Sequence, residues 1–263
     1  MKNWTNPGLM QIEEYWDRRP CNVRHSPKEV STKEWFEEVS ARRYFVEPHI
    51  LDFMRADSYR GKAVLELGCG LGTDAAIYAE NGAEYFGIEL SNESLKIAET
   101  RFHLFGLSGK FLHSSIEDFN LEMFDFPKID LVYSFGVLHH TLEPSKALRS
   151  IVNQVSEGTE FRIMLYARNS WKSALINHGL DQPEAQDYCP IAFTYTLEEA
   201  EKFLIDSGLK VISISQDHIF QYEIEEYKNY NYVKEKWFQE MPENYINALK
   251  QELGWHLLLH AIK

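Results

Sequence analysis

The 263-residue chain has no apolar run of about 18 residues, so no segment is expected to span a membrane as a helix. Its opening stretch, MKNWTNPGLMQIEEYW, lacks a basic segment followed by an apolar one, and no secretory signal is expected. Cysteine is scarce. Cys21, Cys69 and Cys189 are odd in number and scattered, which fits neither a disulfide framework nor a metal-ligand spacing. A reducing, cytoplasmic setting and a site without metal are the expectations that follow. Basic charge is also short: 27 Lys and Arg face 40 Asp and Glu, a formal net charge of -13. A nucleic-acid partner, which must be met by a basic face, is therefore not expected. Internal repeats and low-complexity tracts are absent, and nothing in the sequence signals an oligomeric state.

What is present is a core. Hydrophobic residues make up 44% of the chain, at a mean hydropathy of -0.39. Short apolar runs at 63–69, 84–90, 110–115, 129–136 and 159–167 alternate with helical patterns such as TDAAIYAENG and NESLKIAETRFHLFG. Two further strands are expected at 209–218 and 255–262, with antiparallel pairing between them because their connection lacks an ordinary crossover helix. The alternation predicts an α/β protein with a doubly wound, seven-stranded, mostly parallel sheet. Residues 1–60 read as an N-terminal helical cap on a core of residues 61–263. Insertions at about 168–195 and 219–253 follow the fifth and sixth strands.

The first strand ends in Glu66-Leu67-Gly68-Cys69-Gly70-Leu71-Gly72-Thr73-Asp74. A dinucleotide fingerprint would place a third glycine where Thr73 stands, and a P-loop would continue with Gly-Lys-Ser/Thr. Glu66, just before the turn, would repel a diphosphate and attract a cation. Glu89 lies about 20 residues beyond the first glycine, the spacing of an acid that holds ribose hydroxyls. A nucleoside with a positively charged, phosphate-free tail suits this pattern.

The turn resembles motif I of the class I S-adenosylmethionine-dependent methyltransferases, nearest the small-molecule ubiquinone/menaquinone type. Gly87-Ile88-Glu89-Leu90-Ser91, Ser114-Ser115-Ile116-Glu117-Asp118 and Ser134-Phe135-Gly136-Val137-Leu138-His139-His140 add three matches in order, over about residues 61–167. The resemblance implies a Rossmann-like methyltransferase fold with S-adenosyl-L-methionine as cofactor. It implies that Gly68, Cys69, Gly70 and Thr73 form the cofactor turn, with Glu66 and Asp74 near the amino group and Glu89 on the ribose. Leu90, Ser115, Ile116 and Glu117 would border adenine, Phe135 and Gly136 would form the floor, and Tyr44 would lie over the methionine tail. Where many relatives carry Asp, Ser115 stands here.

Methyl transfer from a sulfonium is an in-line displacement with a good leaving group, so alignment and exclusion of water dominate. A base serves only a protonated nucleophile, and His140, with His139 beside it, is the candidate. YWDRRPCNVRHSPK places Arg18, Arg19, Arg24 and His25 together, candidates to clamp an anionic substrate. LYARNSW adds Tyr166 and Arg168, and Trp171, Tyr188 and the aromatic stretch 220–238 could wall the substrate pocket or belong to the core. The expected reaction is methyl transfer to an O or N nucleophile of a small molecule. Carbon methylation, as in quinone biosynthesis, is the alternative within the class. A nicotinamide-dependent oxidoreductase or a non-catalytic cofactor binder is the alternative outside it.

Overall fold

The run Ala63–Leu67 (β1) is buried at all five positions, as a strand covered on both faces must be. It pairs in parallel with Glu84–Glu89 (β2) on one side and Ile129–Phe135 (β4) on the other. Lys110–His113 (β3) extends the sheet beyond β2, and Glu160–Tyr166 (β5) extends it beyond β4, both in parallel. The final strands, Lys210–Asp217 (β6) and His256–Ile262 (β7), complete the order β3-β2-β1-β4-β5-β7-β6. Strand β7 is antiparallel to both neighbours, inserted between β5 and β6. The computed structural model describes residues 8–123, 128–180, 182 and 189–263 of the chain.

Chain order reverses between β1 and β4, and the crevice opens at the carboxyl ends of these strands. The helices Thr73–Glu80, Asn92–Phe105 and Pro144–Gln154 make the crossovers, and Leu197–Asp206 runs before β6. Before the sheet lie three more: α1 (Leu9–Arg18), α2 (Lys33–Val46) and α3 (His49–Met54). In chain order the crossover helices are α4, α5 and α6. Trp171–Asn177 is α7, and Leu197–Asp206 is α8.

Helix α2 packs Trp35, Phe36 and Val39 against Leu71 of the glycine turn. Buried Arg101 of α5 ties the same elements together: it donates to the Leu71 carbonyl, Ser40 Oγ and Thr73 Oγ1 at 3.1, 2.8 and 3.0 Å. Residues 219–253 are not an open loop. They form Ile224–Lys228 (α9), Lys236–Gln239 (α10) and Glu243–Leu253 (α11) over a small cluster of Ile219, Phe238 and Ile246. Among the described residues, no helix is long and apolar enough to cross a membrane.

Candidate active site

The glycine turn is shaped by backbone conformations that side chains resist. Gly68 has φ +75°, and a Cβ there would lie 2.5 Å from a γ-carbon of Val137. Gly70 has φ +52° but no protein atom within 4 Å of a Cβ position, so its open side faces the crevice. Four N–H groups of the turn are spent within the protein. Gly68 and Cys69 both donate to the Ile88 carbonyl (2.8 and 3.1 Å), Gly70 donates to Glu89 Oε2 (2.8 Å) and Gly72 to the Cys69 carbonyl (2.9 Å). A diphosphate placed here would meet carboxylates and find none of these four donors available.

Glu89 ends β2, lines the crevice and also accepts from the Ser91 N–H at 2.8 Å. Burial raises its pKa, and the N–H donors of Ser91 and Gly70 pull it back. A carboxylate has about four lone-pair directions, so two remain for ligand hydroxyls. Glu66 faces the crevice from β1 and accepts from Tyr85 Oη at 2.6 Å. Burial, reinforced by the charge of Asp74, holds its carboxyl well above the usual range. Asp74 also lines the crevice, but its oxygens are taken: Arg43 binds it bidentately at 3.0 and 2.9 Å, and Tyr44 and Tyr133 donate to it at 3.0 and 2.9 Å. Tyr44 therefore acts on Asp74 and the Thr73 carbonyl and is not a wall of the crevice.

Leu90, Ile116 and Glu117 border the crevice, as do Thr73, Cys69, Phe135 and Gly136. Ser115 does not. Its hydroxyl donates to Asp118 Oδ2 (2.9 Å) and accepts from the Asp118 N–H (3.0 Å), closing a local turn, and Ser114 faces the crevice instead. A serine followed three residues later by an acid favours such a turn, a competition that the motif match could not show. Cys69 is an unreactive filler, its thiol pushed well up by burial.

The two histidines separate. His139 is fully buried, its ring centre 3.8 Å from that of Tyr166 at a tilt of 38°, and does not reach the crevice. His140 lines it. Its Nδ1 faces the Ile191 carbonyl, which only accepts, so Nδ1 carries the proton and Nε2 keeps a lone pair. Burial lowers its pKa to about 4. Tyr166 and Trp16 pack around it.

The arginine cluster also divides. Arg19, Arg24 and His25 line the crevice, whereas Arg18 is exposed and paired with Glu14 at 2.9 Å. Arg168 points away as well, bonded to Glu199 (2.8 Å) and the Thr194 carbonyl (2.7 Å). Tyr188 lies outside the described residues. Trp171 packs on the small cluster beneath α10 and α11. Sequence reasoning missed Arg42, which lines the crevice with its guanidinium 3.8 Å from the Tyr227 ring centre. It also missed Glu47, His218 and His256, which come together from three distant segments. Ligand spacing along the chain carries no signal for such a group. The crevice encloses about 720 Å³, well matched to a nucleoside-sized ligand beside a second small molecule.

The methyltransferase domain family matches residues 65–163, from β1 to β5. Those residues are thus similar to a methyltransferase domain. The chain is 31% identical to a ubiquinone biosynthesis O-methyltransferase of Vibrio vulnificus (strain YJ016) over 115 residues, 43% of this chain and 48% of that protein. It thus spans about half the length of the curated relatives it matches. Magnesium protoporphyrin IX methyltransferase from Synechocystis PCC 6803, solved with bound S-adenosylhomocysteine, superposes with TM-score 0.62 at 14% identity, covering 97% of this chain and all of that one. Geranyl diphosphate C-methyltransferase from Streptomyces coelicolor A3(2) gives 0.61 at 11% identity, covering 98% of this chain and 99% of that one. The sheet around the domain is accordingly of the Rossmann-like methyltransferase fold.

Proposed function

We propose that the chain transfers a methyl group from S-adenosyl-L-methionine to an oxygen or nitrogen of a small molecule. One observation carries the reading: the glycine turn spends its N–H groups on Ile88, Glu89 and Cys69, with Glu66 beneath it. The crevice therefore favours adenosine bearing a cationic tail over any diphosphate. The methyltransferase domain match and the chain's similarity to O-methyltransferases support the same reading.

When bound, the cofactor supplies an electrophilic methyl group whose departure leaves a neutral thioether. Glu89 takes the ribose hydroxyls on its remaining lone pairs, Ile116 and Leu90 border the base, and Phe135 and Gly136 form the floor. A cationic tail beside Glu66 would draw its carboxyl, held high by burial, into the ionised form, next to the Asp74–Arg43 pair. His140 Nε2 accepts the proton released by the acceptor. A buried imidazole is a weak base, but an acceptor hydroxyl becomes strongly acidic as its new bond to carbon forms. Arg19, Arg24 and Arg42 make the acceptor end of the crevice suited to an anionic metabolite. The helices before β1 act as a cap over a core that runs from β1 to β7, and free cysteines suit a reducing compartment.

The deciding experiment is calorimetric titration of the chain with S-adenosylhomocysteine and, separately, with NAD. Saturable binding of the first and none of the second is expected; NAD binding without S-adenosylhomocysteine binding overturns the reading. Incubation with labelled cofactor and a metabolite extract would then identify the acceptor by product mass.

A further inference from the structure

We propose that Glu47, His218 and His256 form a binding site for one divalent transition-metal ion at the edge of the crevice. Glu47 follows α2, His218 follows β6 and His256 opens β7, and one ligand atom from each lies within 4.8 Å of the others. Glu47 Oε1 stands 3.7 Å from His218 Nε2 and 3.6 Å from His256 Nε2. These separations are too long for hydrogen bonds between the groups. Two ligands held about 2.1 Å from a tetrahedral ion lie about 3.4 Å apart, so Glu47 Oε1 is within a few tenths of an ångström of that spacing from each imidazole, while the two imidazoles lie within 4.8 Å of each other.

Three features hold the ligands in place. His256 Nδ1 lies 2.9 Å from His49 Nε2. With the proton on His256 Nδ1, that contact orients the ring and leaves Nε2 as a lone pair facing Glu47, the arrangement by which a second imidazole supports a ligand. His218 sits at φ +74°, a left-handed conformation that a residue with a side chain adopts at a cost, and the Asp217 carboxylate holds its N–H. Its carbonyl in turn accepts from the Trp255 N–H at 2.8 Å, locking the end of β6 to the start of β7.

The donor set selects the ion. Two imidazoles and one carboxylate suit zinc, cobalt, nickel or iron and are poor for magnesium or calcium, which prefer oxygen. Two cations face the cluster: Arg43, 3.9 Å from Glu47, and Lys172, on the same cavity of about 20 Å³. Binding must then come from nitrogen ligation more than from net charge. Glu47 and His256 both line the main crevice, and the Phe135 ring stands edge-on to His256 at 5.3 Å. An ion with an open position there would bind an oxygen of the methyl acceptor, a role that rests on the methyl-transfer reading although the site itself does not.

The test strips the full chain with a chelator and titrates it with Co²⁺, followed by visible absorbance and calorimetry, with S-adenosylhomocysteine titrated on the same samples. One Co²⁺ per chain is expected, with affinity lowered about 100-fold or more in Glu47→Gln and His218→Gln while S-adenosylhomocysteine binding persists. Should those variants fail to fold, anomalous scattering from a Co²⁺-soaked wild-type crystal supplies the same answer, with a peak expected among the three side chains. Wild-type chain that binds S-adenosylhomocysteine but no Co²⁺ overturns the ion site and leaves the methyl-transfer reading standing. Unchanged Co²⁺ affinity in folded variants, or an anomalous peak elsewhere, also overturns it. Co²⁺ binding at this site by a chain blind to S-adenosylhomocysteine sustains the site and defeats the methyl-transfer reading.

Discussion

Glu89 Oε2 accepts the Gly70 N–H at 2.8 Å, so the carboxylate that ends β2 also braces the glycine turn that ends β1. One side chain thus shapes the turn and faces the crevice. Replacing it should remove two contributions at once. Charge-assisted hydrogen bonds are worth about 1.5–3 kcal/mol each, so Glu89→Ala should weaken S-adenosylhomocysteine binding about 100-fold or more. Glu89→Gln, which keeps one acceptor oxygen, should lose less. Calorimetry on both variants checks the order, and equal affinity in wild type and Glu89→Ala would remove Glu89 from the site.

Two of the glycines that line the crevice, Gly68 and Gly70, should fail differently. Gly68→Ala drives a methyl into Val137 in a left-handed backbone, so thermal denaturation should show a clear loss of stability. Gly70→Ala meets no protein atom and should cost only about 1–2 kcal/mol of conformational strain. Its methyl would instead stand in the crevice. Ligand titration should therefore find Gly70→Ala folded and weakened in S-adenosylhomocysteine binding.

With His140 as the base, His140→Asn should lower turnover by about 10²–10⁴-fold and leave cofactor affinity near wild type. His139→Gln, one layer behind the crevice wall formed by His140 and Tyr166, should act mainly on stability and lower turnover less than His140→Asn. Steady-state rates with the identified acceptor separate the two positions. Full turnover in His140→Asn would show that the acceptor arrives deprotonated.

Acid should destabilise the fold before it reaches the carboxylate range. Burial lowers the folded pKa of His140 from its ordinary 6.5 to about 4, and of His139, also through the nearby His140, still in the same direction. The unfolded chain therefore binds these protons more readily than the folded one. Their stabilising effect is complete above pH 6.5 and is lost as pH falls towards 4. At about 1.4 kcal/mol per pH unit, His140 alone should cost about 2 kcal/mol by pH 5. Melting temperatures at pH 7 and 5 measure the loss, which His140→Asn should reduce.

The alternation of apolar runs and helical patterns made the sheet legible, including antiparallel pairing of the last two strands, because burial on both faces leaves a continuous hydrophobic signature. That β7 enters between β5 and β6 was not legible; strand order depends on packing that no local pattern carries. Gly68, Gly70 and Glu89 could be placed because a tight turn and a strand-end acid are local requirements. Ser115, expected beside adenine, instead bonds Asp118 and lies off the crevice, a local competition that the motif does not carry. Arg18 and Arg168 lie off the crevice for a related reason: charge in the sequence says nothing of the partner, here Glu14 and Glu199, that satisfies it. Glu47, His218 and His256 are brought together only by tertiary structure.

Arg42 and Arg43 are successive residues of α2 that grip opposite sides. Arg43 holds Asp74 at the head of α4, while Arg42 donates to the Tyr227 carbonyl at 2.7 Å and stacks on its ring. Tyr230, from the same connection, reaches back to the Arg24 carbonyl at 3.1 Å. The head of α4 and the connection between β6 and β7 are therefore both tied to one turn of α2, so a disturbance of that helix would reach both walls of the crevice together.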